Sequence, residues 1–125
     1  MRAGHPLAGG LDLDRYCAAE HLVMSARGDP QANVDLALDA LGRGRRVALT
    51  APNMMLGLSL AAQSDLLIAA PRALVATHAA RFGLAFHDPP FPLERFVVSA
   101  TAARAAMADA GVAWLMDTLD AAFAT

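Results

Sequence analysis

Four histidines, at positions 5, 21, 78 and 87, one cysteine, Cys17, and ten basic residues that are all arginine carry most of the chemical potential of this 125-residue sequence. No two histidines stand at the spacing of a metal-ligand pair, and Cys17 belongs to no ligand motif. That pattern favours histidines that satisfy local groups over a metal centre, and no cofactor is expected. Cys17 has no partner for an intramolecular disulfide and reads as a buried or inert thiol. Serine, histidine and aspartate all occur, but Gly57-Leu58-Ser59-Leu60 lacks the second glycine of a nucleophile elbow, and no glycine-rich phosphate loop is present. Without a nucleophile and base that converge, the sequence does not read as an enzyme.

A second set is more informative. Ser25, Arg27, Thr50, Asn53 and Met54 fall in two turns that each join an apolar run to a helix-forming segment. Ligands of open α/β sheets bind outside the carboxyl ends of strands, where helix N-termini offer free amides. A guanidinium at such a turn, Arg27, suits a carboxylate or another anion. Its competing reading is a solvated arginine beside Asp29. Ser25 and Thr50 have a competing reading too, in which they only satisfy nearby backbone groups.

The elements that must position these residues follow from periodicity. Residues 46–72 read as strand, helix, strand: an apolar run at 47–50, a break at Pro52 and Asn53, helix formers over 54–62, and a second apolar run at 66–70 ending at Pro71. Runs apolar on both faces and separated by a helix predict two neighbouring parallel strands of an α/β layer. Before them, residues 11–19 hold a helical turn that places Tyr16 and Cys17, and residues 21–25 read as a strand. Asp29 is a good N-cap and Pro30 suits the first helical position. Val34, Ala37, Leu38 and Leu41 then form one apolar stripe, which Gly42 ends. Arginines in Gly42-Arg43-Gly44-Arg45-Arg46 are placed to offset the dipole at that helix's C-terminus.

Further on, Pro71 opens a third helix through about Ala80, with Leu74, Val75 and His78 near one face and Gly83 as its stop. Residues 84–87 suggest a short strand, and the proline-rich 88–92 a surface crossover. Another strand is expected at 96–99. For the alanine-rich tail the expected helix starts at an Asp109 N-cap and buries Trp114, Leu115, Leu119 and Phe123. Residues 5–10 have turn chemistry and read as an extended lead-in.

Composition narrows the function classes. The chain is 56% hydrophobic, enough for a core, and its size allows one domain or less. Twelve acids against ten arginines leave a net charge of -2, so nothing supplies the basic field that nucleic-acid binding demands. The longest uncharged stretch, 47–64, is interrupted by Pro52, Asn53, Ser59 and Gln63 and reads as strand, turn and helix, not as a membrane span of about 20 residues. With no secretory signal at the N-terminus, a cytoplasmic location is expected.

The same residues resemble a known family. A basic pair leading into VALTAPN, a helix ending in AAQSDLLIAAPR, then AARFGLAFHDPPFPLERF and a late Trp114-Leu115, preceded by GHPLAGGLDLDRYCAAEHLVMS, are similar in order and spacing to the second half of the effector-binding domain of LysR-type transcriptional regulators. The resemblance covers nearly all of the chain. It implies an α/β fold of the periplasmic-binding-protein-like (type 2) kind: a second subdomain over about residues 11–95, and over about 96–125 the last strand and helix of a first subdomain that is otherwise missing. It also implies a cleft between subdomains that takes a small-molecule effector, with Ser25, Arg27, Thr50 and Asn53 as its polar residues and Met54 as an apolar wall.

The helix-turn-helix of full regulators has no counterpart here, so this chain is expected not to contact DNA itself and reads as a truncated sensing and oligomerising module. Missing strands would leave edges and an apolar helix face uncovered, which predicts self-association as a homo-oligomer, or else a mobile C-terminal segment. The alternative function is a ligand-free interaction module, or a remnant, that pairs with intact relatives. A freestanding solute-binding protein is disfavoured by the lack of an export signal.

Overall fold

The computed structural model describes residues 1–94 and 99–123. Its contacts divide the chain into two units, Met1–Glu94 and Arg95–Thr125.

The first unit is built on three parallel strands, β1 (Glu20–Met24), β2 (Arg46–Ala51) and β3 (Leu67–Ile68), in the order β2-β1-β3. The helix between β2 and β3 and their parallel direction are as the sequence predicts. Their adjacency is not, because β1, which precedes both in the chain, lies between them. The second apolar run also contributes only two residues to the sheet. An apolar run fixes that a strand forms but not which neighbour it takes, and β1, whose middle residues His21, Leu22 and Val23 are all buried, holds the central place.

Chain reversal at β1 puts the crossover helices on opposite faces, as right-handed connections require. On one face lie α1 (Leu13–Ala18) and α2 (Asn33–Asp39), packed through Tyr16, Val34 and Leu38 with Leu67, Met1 and Phe91. On the other lie α3 (Met54–Ala62) and α4 (Arg72–Phe82), packed through Leu58, Ala61, Val75, Ala79 and Leu84. Parity agrees with this division. His21 pairs with Leu67 on the α1/α2 face and Leu22 with Ile68 on the α3 face. At Gly57 a side chain would meet Ile68 Cδ1 at 2.7 Å and Leu22 Cδ2 at 3.2 Å, so α3 sits close on the sheet because that position has no Cβ.

Local chemistry sets the ends. Asp12 caps α1 by accepting from the Arg15 N–H at 2.8 Å. Asn53 caps α3 through Leu56 N–H at 2.9 Å. Gly83, at φ 64, ends α4 in the left-handed conformation that glycine adopts without strain. Helix α2 departs from expectation: it begins at Asn33, and Asp29 instead accepts from Gln31 N–H at 2.9 Å in a local turn. Asp35 reaches back to the Ala32 N–H at 2.7 Å and organises the start, so a carboxylate inside the first turn displaces the one before Pro30. Of the predicted stripe, Val34 and Leu38 are buried but Leu41 lies beyond the helix and is exposed.

Three more expectations change. Residues 84–87 form no strand; Leu84 makes an isolated antiparallel bridge with Arg2, flanked by Ala3 N–H to Gly83 O at 2.8 Å and Ala85 N–H to Met1 O at 3.0 Å. The residues before α1 are thus held against the end of α4, with turns at 5–10 in place of an extended lead-in. Phe91, within the proline-rich crossover, is buried edge-on against Tyr16, with ring centroids 5.1 Å apart. Cys17 is half-buried at the rim of the same cluster.

In the second unit a 3-10 turn, Ala106–Ala108, leads to α5 (Ala110–Phe123). Asp109 caps it as predicted, accepting from Gly111 N–H at 2.8 Å and Val112 N–H at 3.1 Å. The expected buried face is not buried: no residue of α5 is, and Trp114, Leu115 and Phe123 are all exposed. The expected strand over 96–99 falls largely outside the described residues.

Candidate functional site

The two turns singled out in the sequence come together at the carboxyl edge of the sheet. Register places Met24 beside Ala51, and the Ser25 N–H donates to Ala51 O at 2.8 Å, so the turn after β1 starts against the turn after β2. Ser25 is half-buried there, and Thr50 is half-buried opposite Val23. Gly28, at φ 78, closes the first turn by donating to Ser25 O, which leaves Arg27 exposed at its corner. Asn53 is exposed with its side-chain oxygen committed to the α3 cap, leaving its amide nitrogen free to face a ligand. Met54 is half-buried in the first turn of α3.

Strand order adds something periodicity could not supply. In an open parallel sheet the crevice opens where the order reverses, here between β1 and β3. Of the five residues, Ser25 and Arg27 follow β1 and so border that crevice, while Thr50, Asn53 and Met54 follow β2, one strand removed from it. The turn that faces Ser25 across the crevice is Ala69-Ala70-Pro71, whose neighbour Arg72 is ion-paired with Asp88 and lies over Phe86, 5.9 Å from its ring centroid. A concavity of about 370 Å³ lies elsewhere, lined by Pro30, Gln31, Asp35, Asp39, Gly44, Arg45 and Val47, and includes none of the five.

Three of the four histidines are structural tethers, and the fourth, His78, lies edge-on to Phe82 with ring centroids 6.3 Å apart. His5 Nδ1 accepts from Leu7 N–H at 3.0 Å while its Nε2–H faces Asp65 O at 3.1 Å, and His87 Nε2–H faces Ala8 O at 2.8 Å. His21, fully buried on β1, donates from Nε2 to Tyr16 O at 2.8 Å. Among the described residues no three His, Cys, Asp or Glu side chains converge.

Sequence reasoning missed a buried polar group on the α1/α2 face. Arg45, whose side chain is 1% exposed, makes a two-pronged pair with Asp35, Nε and Nη2 each at 2.8 Å. It is not a solvated arginine offsetting a helix dipole. Its neighbours are also engaged, Arg43 with Asp14 and Arg46 with Glu20. Burial alone would raise the Asp35 carboxyl, but the hydrogen bonds from Arg45 and Ala32 outweigh it and hold it below its ordinary value. Burial likewise works against the charge on Arg45, and Asp35 more than restores it. His21 is pushed down to about 4, mainly by burial and also by the Arg45 charge, so it is neutral at pH 7. Ten residues separate Asp35 from Arg45, a spacing that carries no sequence signal.

A small parallel α/β sheet with its turns gathered at one edge is an architecture that regulatory domains of transcriptional regulators share, as comparison with known proteins shows. No protein-family model matches the chain. It is 30% identical over 99 residues to the HTH-type transcriptional regulator LinR of Sphingobium indicum, an alignment covering 78% of this chain and 33% of LinR. Among solved structures it is similar to the regulatory domain of MexT, a transcriptional activator in Pseudomonas aeruginosa (TM-score 0.71, 30% identity, 94% of this chain and 57% of that one). It is also similar to the probable transcriptional regulator PA0477 of the same organism (TM-score 0.69, 34% identity, 74% and 32%). A Vibrio parahaemolyticus chain at 22% identity and TM-score 0.61 shares the fold. The chain is a homologue of the effector-binding, regulatory domain of LysR-type transcriptional regulators. It spans about a third of the length of the curated relative it matches.

Proposed function

We propose that this chain is the second subdomain of a two-lobed LysR-type effector domain, with residues after about 96 returning to the first lobe, and that it senses a small anionic molecule. It acts by binding and not by catalysis, works in the cytoplasm, and makes no DNA contact through these residues. The observation that supports this best is the Ser25 N–H to Ala51 O bond, which brings the Ser25, Arg27 turn beside the Thr50, Asn53, Met54 turn at the sheet's carboxyl edge. Ser25 and Arg27 supply the hydroxyl and charge, Thr50 and the Asn53 amide the flanking donors, and Met54 the apolar wall. Ligand bound against the other lobe would shift a conformational equilibrium that a DNA-binding part reads out.

A panel of small carboxylates screened by thermal shift tests it. At least one is expected to stabilise the protein, with affinity reduced about tenfold or more in Arg27→Ala, the loss of one charge-assisted hydrogen bond. Ligands whose affinity ignores Arg27, Ser25 and Thr50 alike would remove the reading.

Exposure of Trp114, Leu115 and Phe123 on α5 favours a second reading, in which the chain pairs with itself or with intact relatives without a ligand. Mixing with a full-length relative separates the two: mixed oligomers that form without any effector support this reading, and their absence removes it.

A further inference from the structure

β2 is the outer strand of the three, with β1 on one side only, so among the described residues its other backbone edge pairs with no strand. Sheet edges are ordinarily blunted by charge or proline along the strand. β2 has neither after Arg46, its first residue, and Arg46 is ion-paired with Glu20 on β1. Side-chain burial agrees: the middle of β1 is buried throughout, whereas in β2 only Ala51 is.

The two flanks of that edge differ in chemistry. Ala48 is an extra residue against β1, since Val47 stands opposite His21 and Leu49 opposite Leu22. Val47 therefore faces the α2 side and Leu49 the α3 side, where it is exposed. On the α2 flank lies the concavity of about 370 Å³, lined by α2, the residues just before it and the chain entering β2. Asp35 and Asp39, one helical turn apart, form its wall with Gln31. Arg45 is committed to Asp35, Arg43 to Asp14 and Arg46 to Glu20. Asp39 is in no ion pair among the described residues, and it closes α2, where the helix dipole is negative and no basic residue stands in the last turn. The groove is thus short of a positive charge.

We infer that the outer edge of β2 and the α2 groove beside it form a docking strip for an extended protein segment that alternates basic with apolar residues. The segment continues the sheet beyond β2, and its alternate side chains enter the two flanks. On the α2 flank an arginine or lysine meets Asp39 and the negative end of α2. On the other an apolar side chain covers Leu49. An acidic segment would bring a like charge to Asp39. None of this depends on an effector.

Two short labelled peptides test it on the 125-residue chain by fluorescence anisotropy, one alternating arginine with valine and one alternating glutamate with valine, with amide shifts locating each. The arginine peptide is expected to bind at least about tenfold more tightly and to shift the amides of residues 46–51. Asp39→Asn should weaken it about threefold or more without lowering the melt. Of two arginine peptides methylated on opposite sets of alternate backbone nitrogens, the one whose methyls face β2 should lose binding. Equal affinity for the arginine and glutamate peptides, indifference to Asp39→Asn, or unchanged binding by both methylated peptides would each overturn the inference. So would shifts of the β2 amides on dilution of the chain alone, which would mean that a second copy already occupies the edge.

Discussion

Arg45 and Asp35 meet through two parallel hydrogen bonds of 2.8 Å, with the guanidinium sealed from solvent and the carboxylate only 21% exposed. A charge so placed is costly to strand. Asp35→Ala removes the counter-charge and the acceptor for Ala32 N–H together. Urea unfolding is expected to show a loss on the order of 3–5 kcal/mol. Replacing both partners, Asp35→Leu with Arg45→Met, is expected to cost less than the single change, because no ion is left unpaired. Equal losses would mean that packing, not charge, holds α2 in place.

Close approach of α3 to the sheet yields a graded test. At Gly57 the first added carbon would meet the side-chain tips of Ile68 at 2.7 Å and Leu22 at 3.2 Å, both ends of flexible side chains, while a branched side chain would press further on both and on Ala51. Gly57→Ala should be nearly neutral, since a helix-propensity gain of about 1 kcal/mol offsets the crowding. Gly57→Val is expected to destabilise by about 1–3 kcal/mol through overpacking. Thermal melts of the two variants decide it.

Asn53 and Arg27 should separate stability from sensing. Asn53→Ala loses the α3 cap, and its melt is expected to show a loss of about 1 kcal/mol. Arg27 is exposed at the turn corner and makes no ion pair among the described residues, so Arg27→Ala should leave the melt unchanged and reduce only anion binding. Isothermal titration beside the melts distinguishes the two roles.

What the sequence shows and what it hides divide along physical lines. Helices α3, α4 and α5 are legible because each has a local start or stop: Asn53, Gly83 and Asp109 act within a turn of where they sit. The two turns are legible for the same reason. Strand order is not, since β1 between β2 and β3 depends on which apolar surfaces meet after the chain has gone round twice. Nor is the Asp35–Arg45 pair, which moved the start of α2 past Asp29 and Pro30 and turned an arginine expected in solvent inward. Burial of Phe91 within a proline-rich segment is likewise a tertiary outcome, set by the Tyr16 ring it packs on.

Buried, neutral His21 makes stability depend on pH below neutrality. Its folded value, about 4, lies below the ordinary 6.5, because charging the ring would cost desolvation beside the Arg45 cation, with Asp35 only partly compensating. The unfolded chain therefore binds more protons than the folded one between these limits. Stability contributed by His21 is complete above pH 6.5 and falls as pH drops towards 4, by about 3 kcal/mol in total if His21 alone titrates. Asp35 acts lower still: its carboxyl is held below 3.8, so its contribution is present above that value and is lost only on further acidification. Urea midpoints measured from pH 7.5 to 4.5 should decline in the wild type and flatten in His21→Gln, whatever that variant's absolute stability. A slope unchanged by the substitution would assign the acid sensitivity to other groups and place His21 in a more solvated setting than the structure shows.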